Sequence, residues 1–465
     1  MFIDTFEAEG LAQLSYLVGD EVAGVAAVID PRRDVEEYLE RARERGVRIV
    51  AAIDTHVHAD FVSGAAILRR VAGAKWHGGP DGYAAALDVL SDGDEVRLGR
   101  LTLAALHTPG HTPEHICLVA RGGRGAEAPW GVFTGDTLFA GEVGRPDLLG
   151  EGTEDALARQ LFHSLHEKLL PLGDELIVYP GHGKGSPCGG AIGDRSTTTL
   201  GYERRNNPRL AIRDEDAFVR DILSSQTPAP RYYARMKQVN EHETPDAPST
   251  PIQPLDPQDV RARQERGALV LDVRDIEAFG GAHVPGALNI PLSGSFAVWA
   301  GKLLDESQDL VIVAEAHEVE RVRTNLARIG MDRVVGWLRG GMKYWEEAGL
   351  PLETVAQMSV HQVSEARTRD ASALQLLDVR YDSEFASSHI PGAMHVELSQ
   401  LERQLAGNGR GLDRSKPVAT YCGAGSRAGI AASILKRAGF EDVRAIPGSM
   451  TAWRAAGLPV SKGSK

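Results

Sequence analysis

The sequence predicts a multidomain α/β protein, and three observations carry that expectation. Short apolar strands alternate with helical patterns, a passage with five prolines, "EHETPDAPSTPIQPLDP" (241–257), splits the chain near its middle, and a segment beyond it recurs about a hundred residues later. Strand–helix alternation builds parallel sheets covered by helices. A chain of 465 residues is also too long for one hydrophobic core, so about two to four domains are expected.

In the first half, "DVEEYLERARERG" (34–46) sets Val35, Tyr38, Leu39 and Ala42 on one helical face, with Gly46 as its stop. "VRIVAAI" (47–53) follows as a buried strand and runs straight into Thr55 and His56. The prolines of 241–257 block both helix and inner strand, so this passage reads as an extended linker. Beyond it "LDVRDIEAFGGAHVPGALNIPL" (271–292) returns as "LDVRYDSEFASSHIPGAMHVEL" (377–398), with Asp272 and His283 matching Asp378 and His389 at an offset of 106. "GGMKYWEEAGLPL" (340–352) returns as "GSMTAWRAAGLPV" (448–460) at an offset of 108, so the second copy has gained about two residues in between. A period this long means two tandem domains of one fold rather than a solenoid. The expected organisation is a domain over 1–240, the linker, a domain over 258–353 and a domain over 358–465.

Composition narrows the function. Hydrophobic residues make up 42% and charged residues 25%, as in a soluble globular protein, and the formal charge of −13 argues against a nucleic-acid surface. The start, "MFIDTFEAEGLAQL", has no basic and apolar leader, and no run approaches the roughly 20 apolar residues of a membrane span. A cytoplasmic location with no membrane partner is expected. The three cysteines, Cys117, Cys188 and Cys422, are too few and too scattered for a disulfide framework, so cysteine chemistry must proceed one thiol at a time.

Four polar clusters in the first half each follow an apolar strand: "IDTHVHADFVSG" (53–64), "HTPGHTPEH" (107–115), "TGDTL" (134–138) and "YPGHG" (179–183). Ligands delivered from strand ends converge on one rim of a sheet, where rigid backbone can hold a metal geometry. A lone histidine on such a loop is more often a surface or hydrogen-bonding residue; four clusters in this order point to a shared site. The first cluster offers His56, His58 and Asp60, then places Phe61, which has no lone pair.

The order T-H-x-H-x-D, T-P-G-H-T, T-G-D, P-G-H over roughly residues 1–235 resembles the metallo-β-lactamase superfamily. The resemblance implies an αβ/βα sandwich with metal at the edge between two sheets. In the family's two-metal hydrolases the first motif ends D-H, so Phe61 implies a single-metal site. Persulfide dioxygenases of the superfamily bind one Fe(II) per chain through residues that correspond here to His56, His111 and Asp136, leaving positions for O2 and a sulfur substrate. His58, Asp60 and His182 are then expected to orient ligands or bound water, with His58 as a fourth ligand the open alternative. "VGRPDLL" (143–149) resembles the family's G-R-x-D loop, and Arg145 either holds an anionic part of the substrate or pairs with Asp147. Cys188 either faces the metal and handles sulfur or is a bystander. His107 and His115 are read as structural, and Cys117 as a small core residue.

The last domain carries "VATYCGAGSRAGIAASILKRAG" (418–439): a strand, a loop from Cys422 to Arg427, and a helix. Such a loop can turn backbone N–H groups toward the sulfur while Arg427 and the helix start add positive potential, favouring the nucleophilic thiolate. C-x-x-G-x-R resembles rhodanese over about residues 358–462, with Gly423 and Gly425 on the substrate side of the loop. Related phosphatases and arsenate reductases need one more residue before the arginine, and position 428 is Ala. The first copy, "DLVIVAEAHEVERVRTN" (309–325), puts Glu315 about where Cys422 falls and is read as a spacer or docking surface. The whole arrangement resembles the persulfide dioxygenase–sulfurtransferase fusions of the CstB type.

That resemblance implies a bifunctional enzyme of sulfide detoxification. Fe(II) and O2 convert a low-molecular-weight thiol persulfide to sulfite, and Cys422 passes sulfane sulfur to sulfite, giving thiosulfate. The reverse direction of the transfer stays open, and assembly as a homo-oligomer is expected. The rivals are a thioester hydrolase like glyoxalase II and a sulfur carrier with a vestigial metal domain.

Overall fold

The structure, a computed structural model, describes residues 1–85, 87–123, 128–150, 152–226, 229–247, 250–407 and 411–463. Pro248 and Ser249 of the expected linker lie outside the described residues, as do 408–410 and 464–465 of the last expected domain. The chain forms two compact units, Met1–Pro248 with Thr324–Gly330, and Ser249–Arg323 with Met331–Lys465.

The first unit holds two six-stranded sheets. One runs in chain order through Phe2–Ala8, Gln13–Asp20, Val25–Ile29, Arg48–Ile53, Lys75–Gly78 and Asp88–Val89; the other is ordered Thr198–Thr199, Ile177–Pro180, Pro129–Gly135, Ile116–Gly122, Leu101–His107, Glu95–Leu98. Period-two alternation builds three apolar layers from these strands. Leu14, Tyr16, Val18, Ile53, Leu101, Leu103 and Phe133 fill the space between the sheets. Leu17, Ile49 and Ala52 face the other way, onto the helices Glu36–Glu44 and Ala65–Ala72. Ala104, Val119, Val132 and Val178 likewise meet the helices Glu154–His163 and Glu215–Ser224. This is the αβ/βα sandwich that the resemblance implied. The face of the helix expected over 34–46 is buried as expected at Val35, Tyr38 and Ala42.

The second unit contains two five-stranded parallel sheets of identical topology. The first is ordered Pro254–Leu255, Val334–Leu338, Leu310–Val313, Leu269–Asp272, Leu288–Asn289; the second Ala356–Gln357, Val443–Ala445, Val418–Tyr421, Gln375–Asp378, Met394–His395. Prolines of the expected linker are used where proline is tolerated, Pro254 in a two-residue edge strand and Pro257 in the first turn of the helix Pro257–Glu265. The two repeats pack directly: the Asn289 amide donates to Ser433 Oγ at 3.1 Å, and the helix Ser426–Arg437 is buried from Ala428 through Leu435. No helix among the described residues is long and apolar enough to cross a membrane.

Candidate metal centre and thiol loop

Three strands of the first unit end in the side chains expected to hold a metal. Arg48–Ile53 leads to His56, Leu101–His107 to His111, and Pro129–Gly135 to Asp136. Their ligand atoms lie within 4.8 Å of one another and all three residues are buried. The hydrogen bonds fix both imidazole tautomers. His111 Nδ1 lies 2.8 Å from the Arg145 carbonyl, which can only accept, so Nδ1 carries the proton. His56 Nδ1 lies 2.9 Å from Thr55 Oγ1, whose own hydrogen goes to Asp30 Oδ2 at 3.0 Å, so His56 is protonated at Nδ1 as well. Each ring therefore turns an Nε2 lone pair inward. These face Asp136 Oδ2, at 4.0 Å from His56 and 3.5 Å from His111, and that oxygen is buried with no hydrogen-bond partner.

Three lone pairs aimed at one point repel one another unless a cation sits among them, so the residues fit a metal ion. Burial lowers the proton affinity of both His56 and His111, keeping them neutral and ready to ligate. Burial works to raise the Asp136 carboxyl, but the neighbouring His182 more than offsets it and holds Asp136 far below the usual carboxylate range.

Around the three ligands the chain is tightly tied. His115 accepts the Asp136 amide at 3.0 Å through Nε2 and stacks on His56 at 5.1 Å between ring centroids. His182 bridges Asp136 Oδ1 and Asp60 Oδ2, both at 2.8 Å. Gly181 lets that bridge form, because a Cβ there would stand 2.6 Å from Asp136 Oδ1. His58 turns Nε2 to Asp30 at 3.1 Å and clusters with Asp30 and Asp54. Burial opposes protonation of His58, yet the Asp30 and Asp54 carboxylates push it up to about 9. The Phe61 ring is fully buried 4.3 Å from the His58 ring and presents carbon there, with no lone pair to offer. Asn240 closes the loop, donating to the carbonyls of His58 at 2.8 Å and Phe61 at 2.7 Å and accepting the Ser63 amide at 2.9 Å.

Of the two expectations for Arg145, the structure shows the pairing with Asp147. Its guanidinium is buried, grips Asp147 with two bonds of 2.7 Å and donates to the Pro187 carbonyl at 3.2 Å. Its contribution to the centre is the backbone carbonyl that orients His111. Cys188 is buried beside Asp60 and His182, with Sγ 3.6 Å from Tyr233 Oη. Burial pushes this thiol well above its ordinary range, so it stands as a neutral thiol. His107 bonds the Pro113 carbonyl at 2.9 Å, and Cys117 sits in the core.

In the second unit, Cys422 directly follows the strand Val418–Tyr421 and is 2% exposed. The Gly425 amide donates to its sulfur at 3.1 Å. Gly425 holds φ +115°, and a Cβ there would strike the Pro447 carbonyl at 2.3 Å. The carbonyls of Cys422 and Gly423 are drawn away from the sulfur by the amides of Met450 and Thr451, both at 3.0 Å. Arg427 is clamped by Glu384 through bonds of 2.6 and 2.9 Å. A cavity of about 560 Å³ opens beside the loop, lined by Glu277, Glu315 and Glu318 of the first repeat and Ala424, Ser426 and Pro447 of the second.

The strand register corrects the position assigned to Glu315. Asp272 pairs with Val313 in the first repeat and Asp378 with Tyr421 in the second, so the residue opposite Cys422 is Ala314, and Glu315 stands opposite Gly423. The two extra residues of the second copy therefore precede this strand. At the same offset of 108, His317 replaces Gly425 and Val319 replaces Arg427. The first repeat lacks the cysteine, the glycine and the arginine together.

The family model described as the metallo-beta-lactamase superfamily matches residues 8–182, and the rhodanese-like domain model matches 256–348 and 359–456. Persulfide dioxygenase ETHE1, mitochondrial, of Homo sapiens is 31% identical over 229 residues, covering 47% of this chain and 78% of the human protein. The chain belongs to the metallo-beta-lactamase superfamily. Its first unit is a metallo-beta-lactamase domain with persulfide dioxygenase homologues, and tandem rhodanese-like domains follow. A crystal structure of a metallo-beta-lactamase from Staphylococcus aureus subsp. aureus COL is 33% identical with a TM-score of 0.67, covering 72% of this chain and 98% of that one. The cytoplasmic hydroxyacylglutathione hydrolase of Arabidopsis thaliana is 38% identical over 171 residues, 36% of this chain and 62% of the plant enzyme.

Several residues that build the metallo-beta-lactamase site and the thiol loop escaped the sequence reading. Asp30 ends the strand Val25–Ile29 just as the ligands end theirs, and that position was its signal; it holds the Thr55 amide at 2.7 Å. Glu384 was legible too, since the first repeat has Ala278 in its place. Asn240 and Glu114, which accepts the Val57 amide at 2.8 Å, carry no local signal.

Proposed function

We propose that the chain joins two sulfur reactions, oxidation of a low-molecular-weight thiol persulfide by O2 at a single Fe(II) and sulfur transfer at Cys422. The observation that carries the first is the unpartnered Asp136 Oδ2 facing two inward Nε2 atoms, a two-histidine, one-carboxylate set. Iron held by His56, His111 and Asp136 would supply the redox chemistry that joins O2 to the outer sulfur. The chain's own residues prepare that centre. Thr55 and the Arg145 carbonyl fix the ring tautomers, His182 occupies Asp136 Oδ1 so that Oδ2 remains for the metal, and His115 anchors the Asp136 backbone. The outer sulfur leaves as sulfite, with two oxygens from O2 and the third from water, which also supplies the protons for the released thiol and the medium.

At the second site the Cys422 thiolate attacks the outer sulfur of another persulfide, the S–S bond breaks, and the carrier thiol departs with the proton. Sulfite then attacks the Cys422-bound sulfur, giving thiosulfate and restoring the thiolate. The Gly425 amide and Arg427, held by Glu384, support negative charge on the sulfur through this exchange.

Hydrolase relatives keep a thioester hydrolase as the alternative. Against it, Phe61 offers no donor, and Asp60 and His182 are hydrogen-bonded to each other. Metal analysis of anaerobically purified protein, run beside O2 uptake with persulfides of glutathione, coenzyme A and cysteine, decides between them. About one iron per chain with persulfide-dependent O2 uptake is expected. Two zinc ions per chain with O2-independent cleavage of a glutathione thioester would replace this reading with the hydrolase.

A further inference from the structure

Ser449 is one of four non-glycine residues with positive φ among the described residues, at φ 45°. An L-residue there brings its Cβ close to the backbone, a cost that persists where the surroundings require it. The internal repeat supplies the control. At the offset of 108, Ser449 matches Gly341, which takes the same left-handed conformation at φ 61° with no Cβ to strain. The copy without a thiol uses glycine; the copy with one uses serine.

The side chain shows what the serine adds. Ser449 is fully buried. Its Oγ accepts the Cys422 amide at 3.0 Å, donates to the Ile446 carbonyl at 2.7 Å, and stands 3.8 Å from Cys422 Sγ. A hydroxyl has one hydrogen to give. While the sulfur is a neutral thiol, the Ile446 carbonyl is the better acceptor. Once the sulfur carries charge, a hydrogen bond to it becomes charge-assisted and roughly twice as strong as a neutral one.

We infer that Ser449 is a positioning residue for sulfur transfer: it fixes the Cys422 backbone through the amide and swings its hydroxyl hydrogen from Ile446 to the sulfur whenever that sulfur is anionic. The Gly425 amide meets the sulfur at 3.1 Å, so the thiolate receives a backbone donor and a hydroxyl donor. The inference rests on Cys422 being the transfer nucleophile, and its test reads the sulfur itself rather than turnover.

The full-length protein and its Ser449→Gly and Ser449→Ala variants are alkylated over a pH series, and modification of the Cys422 peptide is followed by mass spectrometry. Ser449→Gly removes the hydroxyl and relieves the backbone together, so a merely structural serine predicts unchanged alkylation and equal or higher thermal stability. The expected result is equal or higher stability with the rate–pH curve displaced to higher pH, alkylation near neutrality slowing about tenfold, the size of one charge-assisted hydrogen bond. Ser449→Ala, which keeps the strained backbone, should show the same displacement with lower stability. Curves that superimpose on the wild type in both variants overturn the inference. The transferase reading fails separately, if Cys422→Ser leaves thiosulfate formation intact whatever the alkylation curves show.

Discussion

In the first rhodanese-like repeat Arg274 grips Asp272 and the Ala282 carbonyl; in the second Arg380 grips Asp378 and the Ser388 carbonyl in the same way. His283 stacks on Phe279 at 3.8 Å and 12°, His389 on Phe385 at 3.9 Å and 11°. The indole of Trp345 donates to the Pro351 carbonyl at 2.7 Å and that of Trp453 to the Pro459 carbonyl at 2.8 Å. Against this agreement stand five positions: Ala314 for Cys422, His317 for Gly425, Val319 for Arg427, Ala278 for Glu384 and Gly341 for Ser449. The residues that hold the fold and those that surround the Cys422 sulfur are separate sets, so one copy can lack the thiol loop and keep the shape of the other. What it keeps is useful to the other copy, whose buried helix Ser426–Arg437 it covers and whose cavity it walls with Glu277, Glu315 and Glu318.

The largest effect should come from the nucleophile. Cys422→Ser is expected to lower thiosulfate formation by about 10³-fold or more, with sulfite accumulating while O2 uptake continues; sustained thiosulfate would mean the chemistry does not reside in the second repeat. Asp136→Ala draws the other boundary. Loss of a direct ligand should weaken metal binding by more than the roughly 10- to 100-fold typical of outer partners, so iron content and O2 uptake fall together while transfer from thiosulfate to cyanide is unchanged.

Glu384→Ala installs the residue of the first repeat. Freed from its clamp, Arg427 should support the sulfur less well, slowing transfer about tenfold. Stability should drop by only about 1 kcal/mol because the pair is partly exposed to solvent. Trp345→Phe and Trp453→Phe should each cost about 1–2 kcal/mol in denaturant unfolding, with equal losses, since each removes the same indole bond; a clear inequality would break the equivalence of the two frames. The smallest effect is none: Ala314→Cys in the Cys422→Ser background should restore no transfer, because His317 and Val319 supply neither the turn nor the cation.

Much of this was legible because the signals were periodic or ordered. The repeat announced two domains of one fold, alternating strands predicted parallel sheets, and four strand-end clusters brought His56, His111 and Asp136 to one place. Where reading failed, the missing information was geometric. Glu315 was set opposite Cys422 by an offset between 106 and 108, and only hydrogen-bonded register shows where the two extra residues enter. Arg145 offered two partners, and only folding shows its guanidinium buried against Asp147. A backbone angle such as that of Ser449 leaves no trace in a single sequence, except where a second copy places glycine at the same point.

The hold of Asn240 on the loop that carries His56 sets a limit on how small this metallo-beta-lactamase module can be made. The superfamily match ends at residue 182, yet the carbonyls of His58 and Phe61 and the amide of Ser63 are met by a side chain 58 positions further along. A fragment trimmed to the shared portion would keep every ligand and hand those three backbone groups back to water, leaving the strip that carries His56 free to wander. The Ser63 carbonyl is met further on still, by the Thr244 hydroxyl at 3.0 Å, so a transplantable unit runs at least through Thr244, and anyone moving this centre into another scaffold must carry the helix Tyr232–Asn240 with it.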